Sequence, residues 1–271
     1  MAPLPFRKLH GCRNDYVVVA AADLPADAAT PALARALCDR HAGVGADGLL
    51  RVGSDADGGI SMRMWNPDGS EAEMCGNGLR CAVRFALERE GRAAPGPGRA
   101  WTAAGPLGFT VHGVGDGDWD VEIEVGVPTF GGPLHLTTPP VSLERVALGN
   151  PHAVAFVEDV ERVPLATWGP AIERHEAFPG RTNVEFVAVR ARDHLVQRTW
   201  ERGAGETPAC GTGAAAVWAA AQRAGHVGRE GRIDLRGGTL RLAWPGEGFV
   251  RLRGPATAVF DGTWGGRDGR L

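Results

Sequence analysis

Two stretches, WNPDGSEAEMCGNG from Trp65 and WERGAGETPACGTG from Trp200, repeat one pattern half a chain apart. In each, Trp stands ten residues and Glu four residues before a cysteine (Cys75, Cys210), and an arginine (Arg63, Arg198) stands two before the Trp. The offset is 135 residues, and farther upstream NDYVVVA from Asn14 resembles NPHAVAF from Asn150 at an offset of 136. Agreement over several separated stretches at one spacing marks an internal duplication. Whatever surrounds Cys75 is therefore expected again around Cys210.

Each half reads alike. Strand-like apolar runs at 15–22, 59–65 and 119–125, then 153–157, 184–190 and 194–200, surround a helix that begins just after the cysteine. Leu79, Val83, Ala86 and Leu87 make one helical face; Ala214, Val217, Trp218 and Ala221 make the other. Gly91 and Gly225 follow these helices at the position suited to a left-handed C-terminal cap. A further helix is predicted over 31–41 of the first half. The expectation is an α+β fold of two similar domains: residues 1–118 with a C-terminal strand at about 259–271, and residues 119–258. The stretch 115–128 is the expected boundary. GVGADG at 43–48 fits a dinucleotide fingerprint in letters only, since it follows a helical run and not a strand. It reads as the turn that closes that helix. The tail GGRDGRL past Trp264 reads as a disordered extension.

Composition removes several classes of function. The net charge is −3 and the sequence pI about 6.2, so no basic face offers itself to nucleic acid. The longest apolar runs are far shorter than the ~20 residues that a membrane-spanning helix needs. MAPLPFRKLHG lacks the apolar core of a signal peptide, and a cytoplasmic location is the expectation. Five cysteines without regular spacing fit a reducing compartment better than a disulfide framework. Cys38 and His41 are the nearest approach to a ligand pair, and no metal site is expected. Lys8 is the chain's only lysine, which argues against a pyridoxal-phosphate Schiff base.

A cysteine at a helix N-terminus meets unpaired backbone N–H groups and the positive end of the helix dipole, and both favour thiolate. The glycines beside it let amides approach a bound anion. Each half thus offers a base and, next to it, a cradle for a carboxylate. Two such sites on opposite faces of an α-carbon would invert it: one thiolate removes the proton and one thiol returns a proton. A lone Cys-Gly is more often buried and inert, but here the arrangement occurs twice. Cys12, Cys38 and Cys81 lack that context and read as core or surface residues.

On these residues the chain closely resembles the diaminopimelate epimerase family. The resemblance runs through HGCRNDYVVV, DGSEAEMCGNGLRC, GNPHAV, RTNVEF, WERGAGETPACGTGA and GPATAVFDG. It implies two pseudo-symmetric domains, each a β-barrel-like sheet around a central helix, in a homodimer. The reaction implied is cofactor-independent epimerisation of LL-diaminopimelate to the meso form, a step toward lysine and peptidoglycan. By resemblance, Cys75 and Cys210 are the acid/base pair, and Gly76, Asn77, Gly211 and Thr212 hold the reacting carboxylate. Asn14, Asn66, Asn150, Asn183, Glu201 and Arg202 hold the distal amino-acid end, and His152 and Glu201 tune the thiols. Two departures from the family pattern stand near these residues: Cys12-Arg13 precedes Asn14 in place of a glycine-bearing approach, and Gly48 replaces a frequent glutamine. A proline or hydroxyproline racemase shares the two-cysteine logic, but it typically has His where Asn77 stands and lacks the Glu-Arg pair. A non-catalytic amino-acid-binding protein on this fold would usually have lost one cysteine.

Overall fold

The computed structural model describes residues 3–24, 28, 30–55, 58–72 and 74–265. The chain divides into two compact units, residues 1–123 with 254–271 and residues 124–253. The divisions fall at 123/124 and 253/254, where the sequence pointed to 118/119 and 258/259. The first division lies inside a continuous strand, Asp118–Gly126, so most of the stretch 115–128 expected as the boundary is sheet.

In the first unit Leu4–Gly11 pairs antiparallel with Asn14–Ala20, which pairs parallel with Gly48–Ser54. Ile60–Trp65 follows antiparallel, flanked by the short strand Glu71–Ala72, and pairs parallel with Gly96–Thr102. Gly105–Gly113 and Asp118–Gly126 continue antiparallel. The last strand, Val250–Trp264, joins Asp118–Gly126 to Leu4–Gly11, and the strands close into an eight-stranded barrel.

Helix α1 (Thr30–Cys38) and helix α2 (Gly76–Arg89) cover the two faces of this sheet. Strand alternation assigns the faces. Val17, Val19 and Leu49 pack with Leu33 and Leu37 of α1, whereas Leu50 reaches the start of α2, beside Gly78. With both faces covered, the strand reads as an unbroken apolar run. The helix α2 is buried from Gly76 to Leu87, as befits a helix enclosed by sheet. Two of its buried side chains are arginines, and both tie the final strand to the helix. Arg80 donates to Pro255 O at 3.1 Å and Arg84 to Ala256 O at 2.8 Å.

The second unit repeats the pairing scheme. Pro140–Ala147 pairs antiparallel with Pro151–Phe156, which pairs parallel with Asn183–Ala191; His194–Glu201 follows antiparallel. The short strand Gly205–Thr207 flanks it, and Glu230–Leu235 pairs with it in parallel. Gly238–Ala243 and the start of the final strand complete the series, and Thr129–Thr137 pairs on the far side of Pro140–Ala147. Helix α3 (Leu165–Glu173) takes the place of α1, and helix α4 (Gly211–Arg223) that of α2. The α4 sequence GTGAAAVWAAAQR is buried through Ala221; its alanines let strands approach closely from every side. Both central helices end before a glycine at positive φ, Gly91 (65°) and Gly225 (77°), so both carry the expected caps.

The structure adds what periodicity did not indicate. The helix α3 was not expected, because it has Pro170 inside it and no side-chain cap at its start. The helix predicted over 31–41 stops at Cys38, and GVGADG forms the turn after it, with Val44 and Gly45 N–H both donating to Leu37 O at 2.9 Å. All of GGRDGRL after Gly265 lies outside the described residues.

Candidate active site

Each cysteine of the repeat is the N-cap of its central helix. Cys75 and Cys210 have extended backbone, and their sulfurs accept from the third amide of the helix, Gly78 N at 3.5 Å and Gly213 N at 3.4 Å. Sulfur here fills the role usually taken by a serine or aspartate oxygen. The first amides of the helix, at Gly76 and Asn77 or at Gly211 and Thr212, have no carbonyl partner within it and carry the positive end of its dipole. Gly213 leaves little room in this turn for a side chain. A Cβ there would stand 2.6 Å from Glu185 Oε1 and 3.2 Å from Cys210 Sγ.

In the first unit the structure brings Asn14, Asn77 and Cys75 together around a residue the sequence did not single out, Tyr16. Its hydroxyl lies 2.9 Å from Cys75 Sγ and also bonds Asn14 Oδ1. Asn14 Oδ1 accepts from Asn77 Nδ2 at 3.1 Å, and Asn14 Nδ2 donates to Asp47 Oδ2 at 2.8 Å. Arg80 Nη2 donates to Asn77 Oδ1 at 3.0 Å. Asn66 lies in the turn after Ile60–Trp65, donating to Ser70 Oγ at 3.0 Å. Gly48 is buried beside Tyr16, whose ring carbon Cδ1 would be 3.4 Å from a Cβ at that position.

In the second unit a chain of polar contacts runs to Cys210. Glu185 Oε1 meets His152 Nδ1 at 2.8 Å, and His152 Nε2 meets Asn150 Oδ1 at 2.9 Å. Asn150 Nδ2 donates to Thr212 Oγ1 at 3.2 Å, and Thr212 Oγ1 lies 3.5 Å from Cys210 Sγ. Glu185 was missed in the sequence, although a single carboxylate in the apolar run NVEFVAV was the signal. It is fully buried and hydrogen-bonded to His152. Glu201 also reaches Cys210: its carboxylate is hydrogen-bonded to that thiol and accepts from Thr207 Oγ1.

Asn183 is engaged on both sides of its amide, donating to Pro151 O at 3.0 Å and accepting from Arg202 N at 2.9 Å. Arg202 Nη1 donates to Gly180 O at 3.1 Å. Helix α3 holds the turn that carries Glu201 and Arg202, because Glu173 accepts from Trp200 Nε1 at 2.8 Å and from Gly203 N at 3.1 Å.

At Cys210 the amides and dipole that favour thiolate are opposed by the surroundings of the sulfur. Burial pushes this thiol well above its usual value, and the carboxylates of Glu201 and Glu185 push it further. The Thr212 hydroxyl and Gly213 amide act in the opposite sense and do not prevail. Burial likewise raises the Glu201 carboxyl. Cys38 and Cys81 are pushed up to about 12 by burial, which keeps them unreactive thiols within the core. Lys8 is buried and ion-paired with Asp15 at 2.6 Å.

A family model described as diaminopimelate epimerase matches residues 6–131 and 145–259. Diaminopimelate epimerase of Synechococcus elongatus is 40% identical over 284 residues, covering 96% of this chain and 98% of its own length. That of Pelotomaculum thermopropionicum is 41% identical over 276 residues, covering 96% and 98%. Among solved structures, a phenazine biosynthesis protein of the PhzF family from Bacillus anthracis superposes with a TM-score of 0.75 at 15% identity, covering 97% of this chain and 99% of that one. A hydroxyproline epimerase from Agrobacterium vitis gives 0.72 at 14% identity, covering 96% and 92%. At such identities these two likenesses speak for the fold alone.

Proposed function

The chain belongs to the diaminopimelate epimerase family and epimerises diaminopimelate, and we propose that it does so with Cys75 and Cys210 as the acid/base pair, on opposite faces of the α-carbon and without a cofactor. The observation that carries this reading is the paired N-cap: in each unit one cysteine sulfur accepts the third amide of a buried helix. A sulfur so placed stands beside the amides best able to hold a carboxylate.

The difficulty of the reaction is the weak acidity of an amino-acid α-hydrogen. As the proton leaves, negative charge moves onto the α-carboxylate. The amides of Gly76, Asn77, Gly211 and Thr212 are assigned to that charge, and a well-aimed donor is worth about 3–4 kcal/mol. One sulfur leaves the step carrying the substrate's proton, the other having given its own, so each turnover ends in the mirrored protonation state. The elevated thiol of Cys210 supports its holding the proton at rest. Glu201 and the His152–Glu185 pair would then tune Cys210.

The distal ammonium and carboxylate are assigned to Asn14, Asn66, Asn150, Asn183, Glu201 and Arg202. An arginine fork matches a carboxylate in geometry and charge. A homodimer and a cytoplasmic location complete the reading. No helix among the described residues is long and apolar enough to cross a membrane, and mass measurement in solution tests the dimer.

Cys75→Ala and Cys210→Ala should each lower epimerisation by about 10³-fold or more while diaminopimelate still binds. Inversion that survives loss of either thiol would remove the two-base mechanism. Arg202→Ala should weaken diaminopimelate binding by about 100-fold, read by calorimetry on the folded variant; unchanged affinity would take Arg202 out of the distal clamp.

A further inference from the structure

The repeat spacing that relates Asn14 to Asn150 also relates Tyr16 to His152. In both units the asparagine bonds the second residue of the central helix, Asn77 or Thr212. The neighbours then diverge. At the position of Glu185, facing the helix start, the first unit has Leu50. Beside its cysteine the second unit thus has carboxylates, one of them bonded to the histidine, and the first has Leu50 near the helix start and a phenol at the sulfur. That phenol is fully buried and 2.9 Å from Cys75 Sγ.

We infer that Tyr16 is the positioning residue for Cys75: its hydroxyl turns between Asn14 Oδ1 and the sulfur, and so stabilises the thiolate when the proton is gone. The argument is one of counting hydrogens. A phenol has one hydrogen to donate and lone pairs to accept with, and its two partners here are Asn14 Oδ1 and Cys75 Sγ. The Asn14 amide is fixed, because its nitrogen donates to Asp47; its oxygen therefore faces the phenol as an acceptor. When Cys75 is a thiol, S–H donates to the phenol oxygen and the phenol donates to Asn14. When Cys75 is a thiolate, the phenol hydrogen swings to sulfur and makes a charge-assisted bond. Asn14 Oδ1 keeps the bond from Asn77 Nδ2, so no acceptor is left bare. No proton leaves Tyr16 in this exchange.

Among the described residues, the titratable groups that act on the phenol are Cys75 at the cap of α2, Cys81 within it and Asp47 from the loop before Gly48. Burial first, and then the neighbouring Cys75, push Tyr16 well above its usual value, so the phenol remains a neutral donor. The catalytic meaning of this role rests on Cys75 being one of the two acid/base residues.

The test reads Cys75 directly. Iodoacetamide alkylation of the Cys75 peptide is followed by mass spectrometry against pH, in wild type and in Tyr16→Phe. The expected result is a midpoint raised by about one pH unit, with alkylation near neutrality about tenfold slower. Superimposed profiles would overturn the inference, as would slowing by the same factor at every pH, which is what altered packing alone produces. A second measurement needs no variant at Tyr16. The chain has a single tyrosine, so ¹³Cζ-tyrosine labelling gives one resonance. It should titrate with the Cys75 midpoint in wild type and lie flat in Cys75→Ser; a flat signal in wild type contradicts the role of Tyr16. Neither readout uses substrate, so a protein that failed to epimerise diaminopimelate would cost the proposed function and leave this test intact.

Discussion

Sulfur is a poor acceptor, and a helix whose N-cap is cysteine gives up capping strength that Ser, Thr, Asp or Asn would supply. Both central helices carry this weaker cap, and the pattern is what a site that needs a thiol at that point would leave behind. Cys75→Ser should therefore fold at least as stably as wild type, by up to about 1 kcal/mol, and lose epimerisation; a thermal melt beside an activity assay checks both halves. Gly213 belongs to the same scale. Its hydrogen faces Glu185 Oε1, where a methyl carbon would sit at 2.6 Å. Gly213→Ala should displace either Glu185 or the Cys210 turn, with loss of activity and a lower melting temperature; a variant indistinguishable from wild type would show that the turn relaxes at no cost. The two cysteines could be read from the sequence because they sit in a repeat and open apolar helices. Tyr16 could not, because within NDYVVVA it reads as one more core residue. Only strand alternation, which turns it toward Cys75, separates it from Val17.

The central helices were legible as elements for definite reasons: a glycine-rich start, apolar spacing of three and four, and a glycine past the end. The helix α3 was not, since proline inside a short helix argues against helix and tertiary packing overrides it here, with Leu165 and Ile172 in the core of the second unit. The consequence reaches the site, because Glu173 at the end of α3 fixes the turn of Glu201 and Arg202. Element-scale strain lies elsewhere, in the hairpin between Leu4–Gly11 and Asn14–Ala20. Cys12 and Arg13 both have positive φ, 53° and 64°, in a two-residue turn whose geometry suits Asn-Gly. A side chain in this region costs about 1 kcal/mol relative to glycine. Arg13→Gly should raise unfolding free energy by about that amount, seen as a higher denaturant midpoint; no gain would mean that the Arg13 side chain returns as much as its backbone costs. The unusual Cys-Arg pair noticed in the sequence thus has a local physical reading, a turn held in a left-handed conformation by residues that do not prefer it.

At the scale of the whole molecule, the duplication is the feature from which the rest was built. The same succession of antiparallel and parallel pairings occurs twice, and each central helix enters at the same point in it. The sequence disclosed this plan through a handful of letters. It did not disclose the asymmetry of the two cysteine environments, which depends on which side chains adjacent strands place beside each sulfur. The first unit also carries a local ionic tie: Asp15 holds Lys8 at 2.6 Å and Arg40 at 2.8 Å. Burial alone would raise the Asp15 carboxyl, but hydrogen bonds from Arg40 and Lys8 outweigh it and lower it from 3.8 to about 2. A depressed carboxyl stabilises the fold fully above its ordinary value, and that contribution fades as pH falls from about 4 toward about 2. Asp15→Asn should flatten the acid limb of stability in that window, as followed by circular dichroism; an unchanged limb would place the acid sensitivity on other carboxylates. The central claim, inversion by two thiols without a cofactor, is tested most directly by incubating the purified, reduced protein with LL-diaminopimelate in D₂O and scoring stereoisomers and α-deuterium. The account predicts meso product carrying deuterium at the inverted centre with nothing else added; meso product that retains the substrate's hydrogen, or no product at all, would contradict it.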